Sequence, residues 1–307
     1  MEGFVAVRDI CSFSEVRALS RRSDVKGLVQ LSTHLGAIAA ASGLVWLASG
    51  TWWLLVLAQV VLGILLTFLF CPLHETIHRT AFRSRWLNDA VAWITGFVVF
   101  LPSTWFRYFH FEHHRFTHIE GADPELDTPK PATRLSFLFY LSGLESFWWS
   151  ALKTLARHVC GRVTDRFVPD DAARRACILQ ARLYLAGYIA ILAAAVWAAD
   201  PAPLLYWIIP LALSAWSLRL YLMAEHTLLA LDANMLDNTR TMRTNAAVRW
   251  LAWQMPYHTE HHVFPSIPFH ALHEAFDRIA PRHGHVIAGY LAFARQYWAS
   301  VSPERRQ

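Results

Sequence analysis

The stretch from Trp52 to His78 reads WWLLVLAQVVLGILLTFLFCPLHETIH and combines two features that define this chain. Its first part, Trp52–Leu73, carries no charged residue and is long enough to cross a bilayer as a helix, which takes about 20 predominantly apolar residues. Its end, His74-Glu-Thr-Ile-His78, puts two imidazoles four residues apart, on one face of a helix. Imidazole is the commonest metal ligand in proteins. The stretch therefore predicts a metal-binding pair at a membrane surface.

Composition extends the membrane assignment to the whole chain. Of the 307 residues, 55% are hydrophobic and only 17% are charged, which is more apolar and less charged than a typical soluble domain. Three further windows are long enough to span a bilayer: Leu28–Ser49, Cys177–Ala199 and Pro203–Met223. Short joins link the windows in pairs. We predict an all-α integral membrane protein with four transmembrane helices in two tight hairpins.

The distribution of basic residues predicts the orientation. Neither hairpin tip carries Lys or Arg, whereas the arm formed by residues 1–27 contains Arg8, Arg17, Arg21, Arg22 and Lys26. The positive-inside rule places both termini and the central segment in the cytoplasm. The arm also lacks the pattern of a signal peptide. We expect three regions: the arm, a membrane domain over residues 28–273, and a cytoplasmic tail over residues 274–307.

Two more histidine clusters share the form H-x-E-H-H, namely His110-Phe-Glu-His113-His114 and His258-Thr-Glu-His261-His262. On a helix, residues at i, i+3 and i+4 point in one direction, so each cluster offers up to three nitrogens to one pocket. A lone histidine, His226, follows the fourth apolar window. Together the clusters supply nine candidate metal ligands: His74, His78, His110, His113, His114, His226, His258, His261 and His262.

These ligands meet on the cytoplasmic side only if the apolar stretch Leu87–Phe106 does not cross the membrane. We predict that it is re-entrant or lies along the interface, with Pro102 breaking its end. The aromatic segment Leu135–Leu152 is expected in the interface as well. In this arrangement a cytoplasmic helical cap holds the histidines.

The ligand types favour two iron ions. Imidazole suits zinc, copper, iron and nickel, and a ferritin-like di-iron site would need paired Glu-x-x-His motifs. Only Glu75-x-x-His78 fits that pattern, so an all-histidine di-iron site, cycling between Fe2+ and Fe3+ with O2 as co-substrate, is favoured. His74-Glu75-x-x-His78 also matches the zinc-protease motif, but a single zinc would leave the other clusters unexplained. No catalytic residue is predicted beyond the metal site.

Neighbouring side chains receive supporting roles. Metal-bound imidazoles usually donate their other N–H to an acceptor, and this role is predicted for Glu75, Glu112, Glu225, Glu260, Asp123, Asp127 and Asp237. His118 is either an extra ligand or such a supporting residue. An acyl chain would run along Trp105, Phe106, Phe109, Trp253 and Tyr257, unless these aromatic residues only anchor the protein in the interface. Arg240 and Arg243 either hold a polar headgroup or are surface charges.

The order and spacing of the histidine clusters resemble the membrane fatty-acid desaturase and hydroxylase superfamily. The stretches Asp123–Glu125, Asn238–Thr241 and Met255–Pro265 look most like its bacterial desaturase branch. The resemblance implies a mushroom-shaped four-span fold in which the nine histidines bind iron on the cytoplasmic side of the bacterial inner membrane. One departure is Leu222, where some members have an asparagine that reaches the metal through water.

The expected reaction is O2-dependent oxidation of an unactivated C–H bond in a lipid acyl chain, and desaturation is the favoured outcome. A hydroxylase or ketolase is the alternative, followed by an intramembrane zinc protease and a metal-binding membrane protein without catalysis. The chain has neither a ferredoxin cysteine pattern nor a G-x-G-x-x-G fingerprint, so a separate electron donor, a ferredoxin or b5-type protein, is expected. No nucleic-acid partner is expected, because the basic residues flank apolar spans.

Overall fold

The computed structural model describes residues 10–279, 282 and 284–301, apart from the side chain of Ser146. Arg8 and parts of the predicted arm and tail lie outside these residues. The described chain is mostly helical, with α1 (Phe13–Leu19), α2 (Asp24–Leu47), α3 (Trp52–Thr67), α4 (Phe70–Ile77), α5 (Arg85–Val98), α6 (Ser103–Phe116), α7 (Arg134–Leu141), α8 (Ser150–Val159), α9 (Asp171–Ala198), α10 (Ile209–His226), α11 (Met235–Asn238), α12 (Ala246–Leu251), α13 (His258–Val263), α14 (Leu272–Ile279) and α15 (Tyr290–Ser300). Single turns of tighter or wider helix cover Pro124–Asp127, Leu144–Trp149, Leu204–Ile208 and Phe269–Ala271.

Four helical segments are long and apolar enough to cross a membrane: Asp24–Leu47, Trp52–Ile77, Asp171–Ala198 and Leu204–His226. They overlap the four predicted windows. The first and third begin earlier than predicted, at polar caps, and the second and fourth end later, at Ile77 and His226. The Ser23 hydroxyl accepts a hydrogen bond from the Lys26 amide, and the Asp170 carboxylate accepts one from the Ala173 amide. The prediction of four candidate membrane-spanning helices is confirmed.

The second span packs against the first and the fourth. At Gly63 of α3, a side-chain Cβ would lie 1.9 Å from the Pro210 carbonyl oxygen of α10, so only glycine permits this approach of the two backbones. Two buried polar groups also link these spans: Gln59 Nε2 donates to the Leu205 carbonyl at 3.0 Å, and Ser214 Oγ donates to the Val60 carbonyl at 2.9 Å.

The third span does not form the tight second hairpin that the sequence predicts. Helix α9 packs against α8 and α6, and its tyrosines hold α5: Tyr184 Oη donates to the Trp93 carbonyl at 2.5 Å and Tyr188 Oη to the Phe97 carbonyl at 2.9 Å. Because α10 is drawn onto α3 while α9 is held by α5, the two helices diverge from the Asp200 turn. A cleft of about 520 Å³ lies between α9 and the turn Leu204–Ile208 that precedes α10, with Trp207 on its wall.

Helices α5 and α6 meet at an angle of 101° and do not continue as one straight helix. The Leu101 amide donates to the Gly96 carbonyl at 2.8 Å and closes the turn, and Pro102 is the residue that precedes α6. The predicted break therefore lies at the beginning of the second helix rather than at the end of the first. Helix α6, which follows the bend, carries His110, His113 and His114.

The polar end of the helices is covered by the short elements from α11 to α15. Trp253, Phe264 and Ile267 form part of a buried core there, together with Phe82 near the start of α5. One departure from the all-α prediction is a pair of two-residue parallel strands, β1 (Thr241–Met242) and β2 (Val286–Ile287), which join α10–α13 to the C-terminal helix.

Candidate metal centre

Four helices deliver the nine predicted ligands to one buried region. His74 and His78 come from α4 and its end, three histidines come from α6, His226 is the last residue of α10, and three more come from α13. The H-x-x-H-H spacing of α6 continues a buried face that starts at Phe106 and ends at Thr117. All six residues of α13 are buried, which fixes that short helix in place.

The first histidine group consists of His74, His78, His110, His114 and His261. One ring nitrogen of each lies within 4.8 Å of the corresponding nitrogen of every other member. The Nε2 atom of His114 lies 2.9 Å from His110 Nε2 and 3.0 Å from His261 Nε2. The fold thus brings side chains from α4, α6 and α13 together.

The second histidine group consists of His113, His226 and His262, whose ring nitrogens also lie within 4.8 Å of one another. His258 adjoins this group, because its Nε2 lies 3.1 Å from both His226 Nε2 and His262 Nε2. The ring centroids of His114 and His262 are only 4.1 Å apart, so the two groups touch. The arrangement provides two adjacent clusters of nitrogen donors.

The outer nitrogens of the second group are each held by an acceptor. His226 Nδ1 donates to the Asn238 carbonyl at 3.0 Å, and His113 Nδ1 donates to the Asp123 carboxylate at 3.0 Å. The Thr117 hydroxyl donates to the His113 carbonyl, so its oxygen accepts from His262 Nδ1 at 3.1 Å. With the proton on Nδ1, each Nε2 presents a lone pair to the centre of the cluster.

Such a cluster of inward lone pairs fits a metal cation. Neutral imidazoles whose only N–H points outward cannot hydrogen-bond one another, so a shared cation would stabilise their close approach in a buried space. In the first group, both ring nitrogens of His74 and Nε2 of His78 are buried and have no hydrogen-bond partner among the described residues. Nitrogen donors of this kind suit iron, zinc, copper or nickel.

Burial also keeps most of these imidazoles neutral, which is the form that binds metal. It lowers the pKa values of His258, His261 and His262 well below the ordinary value, and neighbouring imidazoles lower them further. His113 differs from these three. Burial alone would lower its pKa, but the carboxylates of Glu125 and Asp123 outweigh burial and raise it.

Only part of the predicted acidic support is found at the histidines. Asp123 is fully buried and hydrogen-bonds to His113. Glu225 Oε1 lies 3.3 Å from His258 Nδ1, at ion-pair distance but without a hydrogen bond. Among the described residues, Glu75, Glu112, Asp127 and Asp237 form no hydrogen bond with a clustered histidine, so the structure does not bring these four to the ligands.

The other acidic residues near the histidine clusters make different contacts. Glu75 Oε1 accepts from the Phe269 amide at 3.0 Å and so fixes the segment before α14. Asp237 accepts from the Asn234 side-chain amide at 2.5 Å, and Glu112 lies near Arg166. Glu260 accepts from the Thr241 hydroxyl at 2.7 Å and thereby ties α13 to β1.

His118 lies behind the second histidine group rather than within it. Its Nδ1 donates to the Ala230 carbonyl at 2.8 Å, and its ring centroid is 5.4 Å from that of His226. Its backbone amide donates to Asp123 Oδ2 at 2.8 Å. His118 therefore supports the loop that carries Asp123. Glu125, for which the sequence predicts no role, also approaches the second histidine group, and its Oε1 lies 3.9 Å from His113 Nε2. Its position in the Asp-Pro-Glu motif was the available signal.

Three neighbouring spaces of about 20, 210 and 110 Å³ share lining residues, and the smallest lies against the histidines. We call the three together the inner cavity. Phe70 lines all three, and Glu125 and Leu222 line the two nearest the histidines. The smallest space is bounded by His74, His110, His113 and His258.

The predicted aromatic lining is found on one side only. Trp105, Phe106 and Phe109 line the inner cavity. Trp253 does not, because it is fully buried, packs on Phe269 and donates through Nε1 to His34. Tyr257 packs against Phe276 instead. Arg240 is no headgroup ligand either: it is buried and donates to the Ala224 and Thr227 carbonyls at the end of α10.

Comparison with known proteins identifies the family. The sequence model of the fatty acid desaturase family matches residues 50–293, which include all nine histidines. The chain belongs to the fatty acid desaturase family. It is therefore an oxidoreductase that acts on lipids in a membrane. The match also accounts for the arrangement of apolar spans and histidines described above.

Several relatives indicate the range of activities in this family. The human sphingolipid delta(4)-desaturase/C4-monooxygenase is 28% identical over 268 residues, covering 83% of this chain and 75% of its own. The sn-1 oleoyl-lipid 12-desaturase of Synechocystis is 30% identical over 122 residues, which are 38% of this chain and 34% of that enzyme. A beta-carotene 4-ketolase of Haematococcus lacustris is 34% identical over 95 residues, covering 29% and 28%.

Proposed function

We propose that this protein uses two iron ions and O2 to oxidise an unactivated C–H bond in a lipid acyl chain, and that the product is an alkene. The observation that carries the proposal is the convergence of nine histidines, seven of them buried, at the part of the inner cavity that is bounded by His74, His110, His113 and His258. Family membership supports the reaction class, and the relatives support a lipid substrate.

The proposed roles divide among the described residues. The first histidine group would hold one iron, and the second group with His258 would hold the other. Asp123, Glu225 and the Asn238 carbonyl would orient the ligands of the second site. When bound, the iron ions supply the activation of dioxygen that an unactivated C–H bond requires. Phe70, Phe106 and Leu222 would hold the chain against the histidines and keep water away.

Desaturation converts two neighbouring methylenes and O2, with two electrons and two protons, into an alkene and two waters. Hydroxylation uses the same O2 and electrons and leaves one oxygen atom on the lipid. One relative is named as a C4-monooxygenase and another as a ketolase, so insertion of oxygen into the lipid, as a hydroxyl or a keto group, is the second candidate. Either reaction needs electrons from a separate ferredoxin or b5-type donor.

In the proposed topology, residues 28–273 form the membrane domain, which consists of four spans and a cytoplasmic helical cap. The ring of His74 lies 4.3 Å from that of His110, so the segment between α4 and α6 leaves and returns to one place. This supports a re-entrant α5–α6 segment rather than a fifth span. The basic N-terminal arm supports a cytoplasmic position of the metal site. The bacterial inner membrane is proposed only from the resemblance of the histidine motifs to bacterial desaturases.

Metal analysis and lipid mass spectrometry test the proposal together. We expect two irons per purified chain, and lipids that lose two hydrogens when the protein is expressed with its donor. His113→Ala should lose both iron and activity, whereas the control His273→Ala, at an exposed position on α14, should keep both. One zinc per chain, or full activity of His113→Ala, would contradict the proposal. Gain of one oxygen atom would favour the second candidate.

A further inference from the structure

A second cavity, of about 510 Å³, lies on the opposite face of α6 from the inner cavity. We call it the arginine cavity, because Arg79 and Arg107 line it. None of its lining residues lines the inner cavity. On α6, the residues Thr104, Arg107 and Tyr108 line the arginine cavity, while Trp105, Phe106 and Phe109 line the inner one. One helix therefore separates two different spaces.

The arginine cavity carries unbalanced positive charge. Arg79 is paired with Asp89 through two hydrogen bonds, Nε to Oδ1 at 2.9 Å and Nη2 to Oδ2 at 3.3 Å. Arg107 makes no hydrogen bond or ion pair with any described residue, and its guanidinium lies 5.0 Å from the Phe111 ring centroid. The lining of the cavity thus holds two guanidinium groups and one carboxylate, which is already paired with Arg79. A half-buried guanidinium that faces an open space is stabilised when an anion enters it.

The surroundings of the arginine cavity indicate where that anion comes from. Helix α5 exposes Trp86, Trp93 and Ile94 along one side, and Trp93 also forms part of the cavity wall. Tryptophan side chains are enriched at the level of lipid headgroups. The cavity combines a polar part at the two arginines with an apolar part at Ala92 and Trp93. This combination matches a molecule with an anionic group attached to hydrocarbon.

We propose that the arginine cavity binds the phosphate group of an anionic phospholipid, with Arg107 as the principal ligand and Arg79 beside it. The planar guanidinium group can donate two parallel hydrogen bonds to phosphate oxygens. The bound lipid is not the substrate, because the arginine cavity does not share its lining with the space that reaches the histidines. Free inorganic phosphate presents the same oxygens and is the alternative source of the anion.

The location gives the bound lipid a structural effect. Arg79 directly follows His78, and Arg107 precedes His110 by one helical turn. A phosphate held between the two arginines would connect the end of α4 to the middle of α6. We therefore expect an anionic lipid to raise the unfolding temperature of the protein more than a zwitterionic lipid does.

Native mass spectrometry of the full-length protein, released from nanodiscs of phosphatidylcholine with phosphatidylglycerol, tests this site. We expect the wild type to retain phosphatidylglycerol, and Arg107→Gln to bind it roughly ten-fold more weakly, as for the loss of one charge-assisted hydrogen bond. The matched control is Arg115→Gln, because Arg115 lies on the same helix and 4.9 Å from the Phe116 ring, but outside the cavity. Equal retention by wild type and Arg107→Gln, or equal loss in both variants, would overturn the proposal.

A second variant, which is expected to strengthen lipid binding, tests the site even if Arg107→Gln does not fold. Asp89 is exposed, and Asp89→Asn would release Arg79 for the anion, so phosphatidylglycerol should bind more tightly. Unchanged or weaker binding by this variant would contradict the site. Inorganic phosphate is added as a competitor in a separate arm. Displacement of the lipid by about millimolar phosphate would assign the cavity to free phosphate and overturn the lipid assignment. These measurements need no turnover, so they stand apart from the proposed reaction.

Discussion

Replacing Asp123 by asparagine tests the hydrogen-bond network that supports the metal centre. The carboxylate is fully buried and accepts from three donors: His113 Nδ1 at 3.0 and 3.1 Å, the His118 amide at 2.8 Å and the Glu125 amide at 2.9 Å. The Asp123→Asn variant keeps the shape of the side chain but removes its charge. It also replaces one of the two acceptor oxygens by an NH2 group.

The cost follows from these contacts. Asp123 Oδ1 serves Glu125, and Oδ2 serves His118, so an asparagine in either orientation points its NH2 group at one backbone N–H. A buried donor left without an acceptor costs about 1–3 kcal/mol, and the remaining hydrogen bonds lose their charge assistance. We expect a total loss of about 3 kcal/mol in the free energy of unfolding. The weakened hold on His113 should reduce iron affinity by about 10–100-fold.

Iron affinity and stability are measured on the purified protein in detergent. Iron per chain is determined after dialysis against a graded series of chelator concentrations, and thermal unfolding is followed in parallel. The control is Asp127→Asn, because Asp127 lies in the same loop and its exposed carboxylate pairs with Arg166 at 2.7 Å. Exposed ion pairs of this kind contribute at most about 1 kcal/mol.

Two results would refute this reasoning. If Asp123→Asn retained iron as the wild type does, then the Asp123–His113 hydrogen bond would not orient a metal ligand. If Asp127→Asn lost as much iron as Asp123→Asn, the effect would belong to the loop as a whole and not to the buried carboxylate.

Three further predictions concern acidity, span packing and the inner cavity. Burial lowers the pKa values of His78, His110, His114, His258, His261 and His262. Below about pH 6.5 the unfolded chain therefore binds more protons than the folded chain. The unfolding temperature and the iron content should both fall as the pH is lowered from about 7.5 to about 5.5. Constant values over this range would contradict the prediction. Gly63→Val should lower the yield of folded protein, because its Cβ would lie 1.9 Å from the Pro210 carbonyl oxygen. The control Gly43→Val should not, because no atom lies within 4 Å of that position. Equal yields of the two variants would refute the close packing of α3 and α10. Leu222→Trp should fill part of the inner cavity and reduce activity at least about ten-fold, with the iron content unchanged. The control Leu213→Trp, on the exposed side of the same helix, should remain active. Full activity of Leu222→Trp would exclude the inner cavity as the substrate path.

The four spans were predictable because the signal is local. A bilayer of fixed thickness requires about 20 apolar residues in sequence, and Trp52–Leu73 satisfies this requirement without reference to the rest of the chain. How the spans pack depends on distant residues. Gly63 and Pro210 bring the second and fourth spans together, and Tyr184 holds the third span to α5. Nothing in the short turn at Asp200 indicates that α9 and α10 diverge.

The acidic residues show that closeness in sequence to a histidine does not predict contact with that histidine. Glu112 immediately precedes His113, and Glu75 immediately follows His74, yet consecutive residues on a helix point in directions about 100° apart. Asp123 reaches His113 from a loop ten residues further along the chain. Glu225 precedes His226 but contacts His258 of another helix.

The sequence by itself determined the membrane spans and the set of histidines offered to a metal, since both depend on spacing along single helices. Only the tertiary structure divided those histidines into two groups, because each group combines residues from three different helices. It also decided that Trp105 and Phe109 line the inner cavity while Trp253 supports the core. The physical reason is that a helix fixes which residues share a face, whereas the partner of each face is fixed by packing across the whole chain.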